Sequence, residues 1–390
     1  MKVLLVHNYY KIAGGEDKVF EQEVELLRSK GHEVLTYLKD NKTGIRTIFD
    51  KFSLLFTTHY NQGEKKRMTK ILSEFRPHIV HVHNFFPLFS PSIFEACQDA
   101  KIPVVLTLHN FRLLYPNGLL FNKSKMDLRT IKGSAYLTIK DRVYRNSFLQ
   151  TFVVAHMIEY HKKQDTWNQL VNGFICLTKF SRDIYKEWGI DERKLHVKPN
   201  FIVKQQQEPP NTILDQFVCI GRLSEEKGVD FLVRAWMNAN IKSKLVIIGD
   251  GELMKNLKEE CNNHDQICFT GKLDNKTALN TLACSKALIF PSICYEGFPL
   301  VIVEAFALGI PVISSNFGNQ GVIVEHEKNG LLFEKGVESD LICQVDRITQ
   351  NPDFRQMLSE NCTKDFETKY SEEKNYEMLM EIYDGLIQAN

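Results

Sequence analysis

The chain has 390 residues, with 43% hydrophobic residues, 25% charged residues and a formal net charge of +1. Single cores rarely grow past about 250 to 300 residues, so two domains are expected, and the near-neutral balance gives no reason to expect a nucleic-acid partner. The nine cysteines are scattered and form no C-x-x-C pair, which argues against a disulfide framework or zinc ribbon and for a reducing cytoplasm.

In chain order, "MKVLLVHN" reads as a buried first strand, since it lacks the length and cleavage site of a signal peptide. No apolar run approaches the roughly 18 residues of a membrane span. "NYYKIAGGED" follows. Its glycines, Gly14 and Gly15, let backbone approach a ligand and set N–H groups at a helix N-terminus, a phosphate-like site, although a plain tight turn would read the same way. A helix is predicted over 16–30, with Val19, Phe20, Val24 and Leu27 on its apolar face. The strands "EVLTYLK", "HIVHVHN", "PVVLTLHN" and "FICLT" complete a first parallel layer. Ligands of open parallel sheets sit beyond the carboxyl ends of the strands. His83, Asn84, His109 and Asn110, which end two of these strands, are therefore cleft candidates. His81 and His83 share a strand face, but no third metal ligand is evident and no Asp-x-Asp occurs, so no metal site is expected.

"KPNFIVKQQQEPPNTILD", polar and proline-rich, reads as a linker. Beyond it the strands "QFVCIGR", "SKLVIIGDG", "ICFTGKL", "ALIFPS", "PVISS" and "GLLFE" predict a second parallel layer. After the first of them, Gly221 leads into a loop carrying Arg222 and Lys227. Two cations between strand and helix can bracket a diphosphate, one through a fork and one as a point charge. "IIGDGE" lacks the third glycine of a dinucleotide turn, which argues against nicotinamide binding. "CYEGFPLVIVEA" carries two carboxylates, Glu296 and Glu304, around a predicted helix start at Pro299. Glu296 lies in the loop and Glu304 in the second turn, about 7 to 8 Å along the axis. Such a pair can grip the two ends of an extended ligand whose phosphates face the helix N-terminus, and a nucleotide sugar has that form. The last stretch, "EEKNYEMLMEIYDGLI", predicts an amphipathic helix that returns to the first domain.

Charge is unevenly distributed, with 31 Lys/Arg against 20 Asp/Glu through Asn200 and 18 against 28 beyond it. The segment 123–145 concentrates Lys123, Lys125, Arg129, Lys132, Lys140, Arg142 and Arg145, and the apolar "FLQTFVVAHMI" follows. A basic stretch beside an apolar one suits an anionic membrane surface, and a solvated face followed by a core helix would read alike.

The stretches "GGED", "HVHNFFPLFSP", "LTLHNFRLLYPNG", "GRLSEEKG", "IIGDGE", "PSICYEGFPLVIVEA" and "NGLLF" fall in one order along nearly the whole chain. With them the chain resembles the retaining glycosyltransferases of family GT4. The resemblance implies the GT-B fold, in which two Rossmann-like α/β domains, here 1–200 and 201–372, face a central cleft and a C-terminal helix, 373–390, packs on the first. It implies that Arg222 and Lys227, after Gly221, hold a donor diphosphate and that Glu304 holds the ribose. Glu296 would hold the sugar with Gly297 and Phe298, next to Pro299 and Leu300, and the Gly14–Gly15 loop would close on the phosphates. His109 would lie against the transferred sugar, with His83, Asn84 and Asn110 on the acceptor side. No cofactor or metal is implied, since the cations stabilise the leaving group. Two departures stand out. Tyr115 replaces a cysteine usual in the close subgroup, and Gly321-Val322 replaces a usual Pro-Glu.

The expected activity is transfer of a hexose-type sugar from a UDP- or GDP-sugar to a glycan or polyprenyl-diphosphate-linked acceptor in bacterial surface-polysaccharide synthesis. The expected location is the cytoplasm, with peripheral contact to the inner membrane face. A nucleotide-sugar epimerase of the same fold and a non-catalytic sugar-nucleotide or glycan binder are the rival readings.

Overall fold

The computed structural model describes residues 1–11, 14–204, 212–239 and 241–390. Two compact units divide the chain: Met1–Asn122 with Met126–Asn200 and Asn375–Asn390, and Lys123–Lys125 with Phe201–Lys374.

The first unit holds the strands β1 (Lys2–Tyr9), β2 (Glu33–Asp40), β3 (Ile79–Val82), β4 (Val104–Leu108), β5 (Gly173–Cys176) and β6 (Leu195–Val197). They lie in the order β2-β1-β3-β4-β5-β6, all parallel. The second unit holds β7 (Gln216–Ile220), β8 (Lys244–Ile248), β9 (Ile267–Gly271), β10 (Ala287–Phe290), β11 (Val312–Ser315) and β12 (Gly330–Phe333). Their order is β9-β8-β7-β10-β11-β12, again parallel. Strands such as "VLLV" and "LVII" are buried on both faces, as expected of parallel sheets covered by helices. In each sheet the order in which strands are laid down reverses once, at β1/β3 and at β7/β10. Such reversal points open a crevice beyond the strand ends, where ligands settle.

The predicted helix over 16–30 is found at Gly15–Ser29, with Val19, Phe20, Val24 and Leu27 buried. The last helix, Glu372–Ala389, joins the first unit from Asn375 onward. Tyr383 is wholly buried there, its hydroxyl 2.7 Å from His81 Nδ1.

Three expectations need correction. The expected linker opens with buried residues: Lys198 is 2% exposed, and Phe201 and Ile202 are core. Lys198 is held by Glu23 at 3.3 Å and Asn375 at 3.1 Å, so its ammonium serves the fold; residues 205–211 lie outside the described ones. The basic segment 123–145 presents no single helix face. It breaks into short pieces around a one-turn helix, Arg129–Lys132, because Arg129 is tied to Asp127 and Asp141 at 2.7 Å each. Pro299 is the N-cap, in extended conformation, of a helix Leu300–Ala307, so that helix starts one residue later than predicted.

Candidate active site

The residues expected to hold the donor gather at the β7/β10 crevice of the second unit. Gly228, at φ +65°, lets the loop after β7 fold against the one after β10; a Cβ there would stand 2.2 Å from the Pro291 carbonyl oxygen. The loops are then stitched together, as the Ile293 N–H donates to the Glu226 carbonyl at 3.0 Å, and Ser292 Oγ lies 3.1 Å from the same oxygen. This close approach joins Lys227 to Glu296, with Nζ 2.7 and 2.8 Å from the two carboxylate oxygens. Ser292 Oγ donates to the same carboxylate at 2.6 Å. Burial works to raise the Glu296 pKa, but Lys227 and the hydrogen bonds outweigh it and hold the carboxyl below its usual range. Burial likewise opposes the charge on Lys227, and Glu296 outweighs it, so its pKa is raised. The pair is a matched, half-buried charge set, with side-chain exposure of 25% for Lys227 and 12% for Glu296.

Arg222 is mostly exposed and holds Glu226 at 2.9 Å. Glu304 stands in the second turn of Leu300–Ala307, as expected from the sequence. Phe298 packs into the core beside Tyr370, ring centroids 6.2 Å apart. The loop carbonyls are clasped from beyond β11. Asn319 Nδ2 donates to the carbonyls of Glu296 and of Gly297, the latter at 2.9 Å. Gln320 Nε2 donates to those of Ser292 at 3.2 Å and Cys294 at 3.3 Å. Sequence reasoning noted the unusual Gly321-Val322 but missed this clasp, whose only trace was two amides in "SSNFGNQG".

The residues expected on the acceptor side gather at the β1/β3 crevice of the first unit. His83, Asn84, His109 and Asn110 line one cavity with Glu16, Phe86 and Arg112. They are not equally available. Asn84 is used by the fold, its Nδ2 donating to the Asn8 carbonyl at 2.7 Å and its Oδ1 accepting from the Phe86 N–H at 3.0 Å. His83 is buried between Glu23, at 3.0 Å from Nε2, and His109, whose Nε2 is 3.1 Å from its Nδ1. Burial first, then neighbouring imidazoles, lowers the His83 pKa to about 3 and holds His109 well below the ordinary value. At neutral pH His109 is thus an uncharged imidazole, fit for hydrogen bonding. Gly14 caps the helix Gly15–Ser29 and its N–H donates to Asp17 Oδ2 at 3.1 Å, so that N–H already has a partner. The rest of the loop, 12–13, lies outside the described residues.

Two charged groups here escaped sequence reasoning. Glu16, one residue past the glycine pair, lies within 3.5 Å of Asn110 Nδ2. Burial, then Asp17, pushes its carboxyl up to about 8, against the pull of Arg112. Glu23 is the third group that the histidine pair lacked, with Oε1 2.9 Å from His81 Nδ1 and 3.0 Å from His83 Nε2. Lys198 lies on its other oxygen and balances its charge. No sequence signal links residues 23, 81, 83 and 198 except their chemistry. Tyr115, the other departure, is buried and donates to Asp127 at 2.8 Å, which anchors the insertion that follows it.

Two units, each a parallel six-stranded sheet with polar groups gathered where its strand order reverses, have the architecture of the GT-B fold. Residues 13–206 match the family described as Glycosyltransferase Family 4, and residues 201–365 match Glycosyl transferases group 1. An uncharacterized glycosyltransferase of Methanocaldococcus jannaschii is 34% identical, over 99% of both chains. The UDP-Gal:alpha-D-GlcNAc-diphosphoundecaprenol alpha-1,3-galactosyltransferase of Escherichia coli is 27% identical over 55% of this chain and 60% of that protein. HepE of Anabaena, solved in complex with UDP, superimposes with a TM-score of 0.69 at 16% identity, over 99% of this chain and 100% of that one. The chain belongs to the family-4 glycosyltransferases.

Proposed function

We propose that the enzyme is a retaining, metal-independent hexosyltransferase. It takes a sugar from a UDP- or GDP-sugar and adds it to a polyprenyl-diphosphate-linked glycan on the way to a surface polysaccharide. The observation that carries this reading is the Lys227–Glu296 pair at the β7/β10 reversal point. An ammonium and a carboxylate in direct contact there bracket the bond that must break, with the cation toward the phosphate and the carboxylate toward the sugar hydroxyls. Arg222 adds a second cation and Glu304 takes the ribose. In the transfer, the bond from the anomeric carbon to the phosphate oxygen breaks while the acceptor oxygen bonds to the same face. The acceptor proton leaves with the departing phosphate, and the cations stabilise the charge that develops there. The E. coli relative, by its name, uses a UDP-sugar and a diphosphoundecaprenol acceptor, which supports both ends of the assignment.

Peripheral contact with an anionic membrane belongs to the same reading. It is supported by the helix Phe148–Lys163, where Phe148, Leu149 and Phe152 are exposed close after Arg142 and Arg145. No helix among the described residues is long and apolar enough to cross a membrane.

The test is transfer from UDP- and GDP-hexoses to a polyprenyl-diphosphate-linked acceptor in the presence of EDTA, with the product anomer assigned by NMR. Transfer should survive the chelator and keep the donor's anomeric configuration. Donor conversion without acceptor would instead identify an epimerase. Abolition by EDTA with rescue by a divalent ion would refute the metal-free mechanism.

A further inference from the structure

A second cavity, about 470 Å³, opens in the first unit between the helices Ile48–Thr57 and Phe148–Lys163. Its walls are apolar, built from Ile45, Phe52, Leu55, Phe86, Leu149 and Val153 among others. The volume is in the range of about 300 to 1,000 Å³ usual for small-molecule sites. Among the described residues two charged side chains line it, Lys11 and Arg145, both exposed and both cationic, and no carboxylate does. Phe52 is 60% and Leu149 53% exposed, so apolar surface continues from the walls to the rim. A solvent-facing apolar cavity edged only by cations matches a hydrocarbon chain that ends in a phosphate.

Its position ties it to the acceptor half of the site. Phe86 lines both this cavity and the one that holds His83, His109 and Asn110. The Arg112 guanidinium lies over Phe86 at 4.6 Å and over Tyr144, another wall residue, at 5.4 Å. A chain seated against Phe52 and Leu149 would thus put its phosphate end near Lys11 and Arg145, one aromatic wall away from the polar groups expected to meet the acceptor sugar.

We propose that this cavity holds the isoprenoid chain of the lipid-linked acceptor, with the diphosphate at Lys11 and Arg145. The proposal rests on the reading of the enzyme as a transferase acting on polyprenyl-diphosphate-linked glycans, and goes beyond it by locating the lipid. The full chain, with UDP kept saturating so that Arg222 and Lys227 are occupied, is titrated calorimetrically with farnesyl diphosphate below its micellar concentration and with inorganic diphosphate. Farnesyl diphosphate should bind more tightly by about tenfold or more, one decade in Kd. Phe52→Glu and Leu149→Glu change exposed positions; each should weaken farnesyl diphosphate about tenfold and leave inorganic diphosphate and UDP unaffected, the UDP titration reporting an intact fold. Arg145→Glu should weaken both diphosphates. Equal binding of the two diphosphates by the unmodified chain, or unchanged farnesyl diphosphate binding in both apolar-site variants, overturns the proposal. So does a Phe52→Glu effect confined to phosphatidylglycerol vesicles, which would make the surface a membrane seat. Farnesyl diphosphate binding without transfer to a polyprenyl-linked acceptor would keep the lipid site and remove the assigned reaction.

Discussion

The ammonium of Lys227 and the carboxylate of Glu296 neutralise each other before any donor arrives, and this shapes what each residue does in binding. A nucleotide diphosphate must compete with Glu296 for Lys227, so Glu296→Ala should leave affinity for the bare nucleotide equal or higher while transfer collapses. Glu304→Ala should weaken the bare nucleotide and the full donor alike. Equal loss of UDP affinity in the two variants, measured by calorimetry, would falsify this division of labour. Glu16 permits a prediction of a different kind. Its pKa is raised to about 8 from an ordinary carboxylate value, so the native state holds a proton that the unfolded chain releases. Stability on this account is full below about pH 4.3 and declines as pH rises toward 8, by about 1.4 kcal/mol for each pH unit crossed. Glu16→Gln should flatten that decline in urea melts from pH 5 to 9, and an unaltered slope would show that Glu16 is solvated. That Lys227, Glu296, His83 and His109 lie beyond strand ends could be read from the sequence, and the structure places them there. The Glu16 shift could not, because it comes first from burial, which only folding produces, with Asp17 adding to it.

At the scale of elements, the eleven strands read from hydrophobic runs are all present, since a strand buried on both faces writes itself as a short apolar block. The sixth strand of the first sheet, Leu195–Val197, escaped because "LHV" is three residues long and only its leucine is buried. The segment 123–145 carries less free positive charge than its sequence suggests. Its charges were counted along the chain, whereas Arg129 is matched by Asp127 and Asp141, and Lys132 by Glu187 at 3.0 Å. The loop after β10 has the most consequential scaffold. Asn319 and Gln320 hold four of its carbonyls, and Gly228 admits the facing loop. Asn319→Ala strips donors from two of those carbonyls, so a loss of about 1 to 3 kcal/mol in stability is expected, with turnover falling more than UDP affinity. Gly228→Ala meets both a positive φ and the Pro291 carbonyl, so it should damage stability and UDP binding together. Thermal melts paired with UDP titrations would separate the two behaviours.

Over the whole molecule, acid sensitivity should trace to the first unit. His83, with its pKa lowered to about 3, stays uncharged while the unfolded chain takes up a proton near pH 6.5. The stability it contributes is present above that value and is lost as pH falls toward 3, with a slope near 1.4 kcal/mol per pH unit for each such histidine. Glu16 pulls the opposite way over the same range, so the melts belong in the Glu16→Gln variant, where no fall from pH 7 to 4.5 would contradict the buried network of Glu23, His81, His83 and His109. That network is closed from far along the chain: Asn375 reaches Lys198 and the Pro199 carbonyl, and Tyr383 reaches His81. A ribosome builds the chain in the opposite sense, and domains generally fold in the order in which they emerge. Here the first sheet leaves the exit tunnel while the helix that covers Glu23, His81 and Lys198 has yet to be made. Synthesis of the entire second unit intervenes, so the earlier-made unit is completed last, and until then its buried charges depend on water or a chaperone.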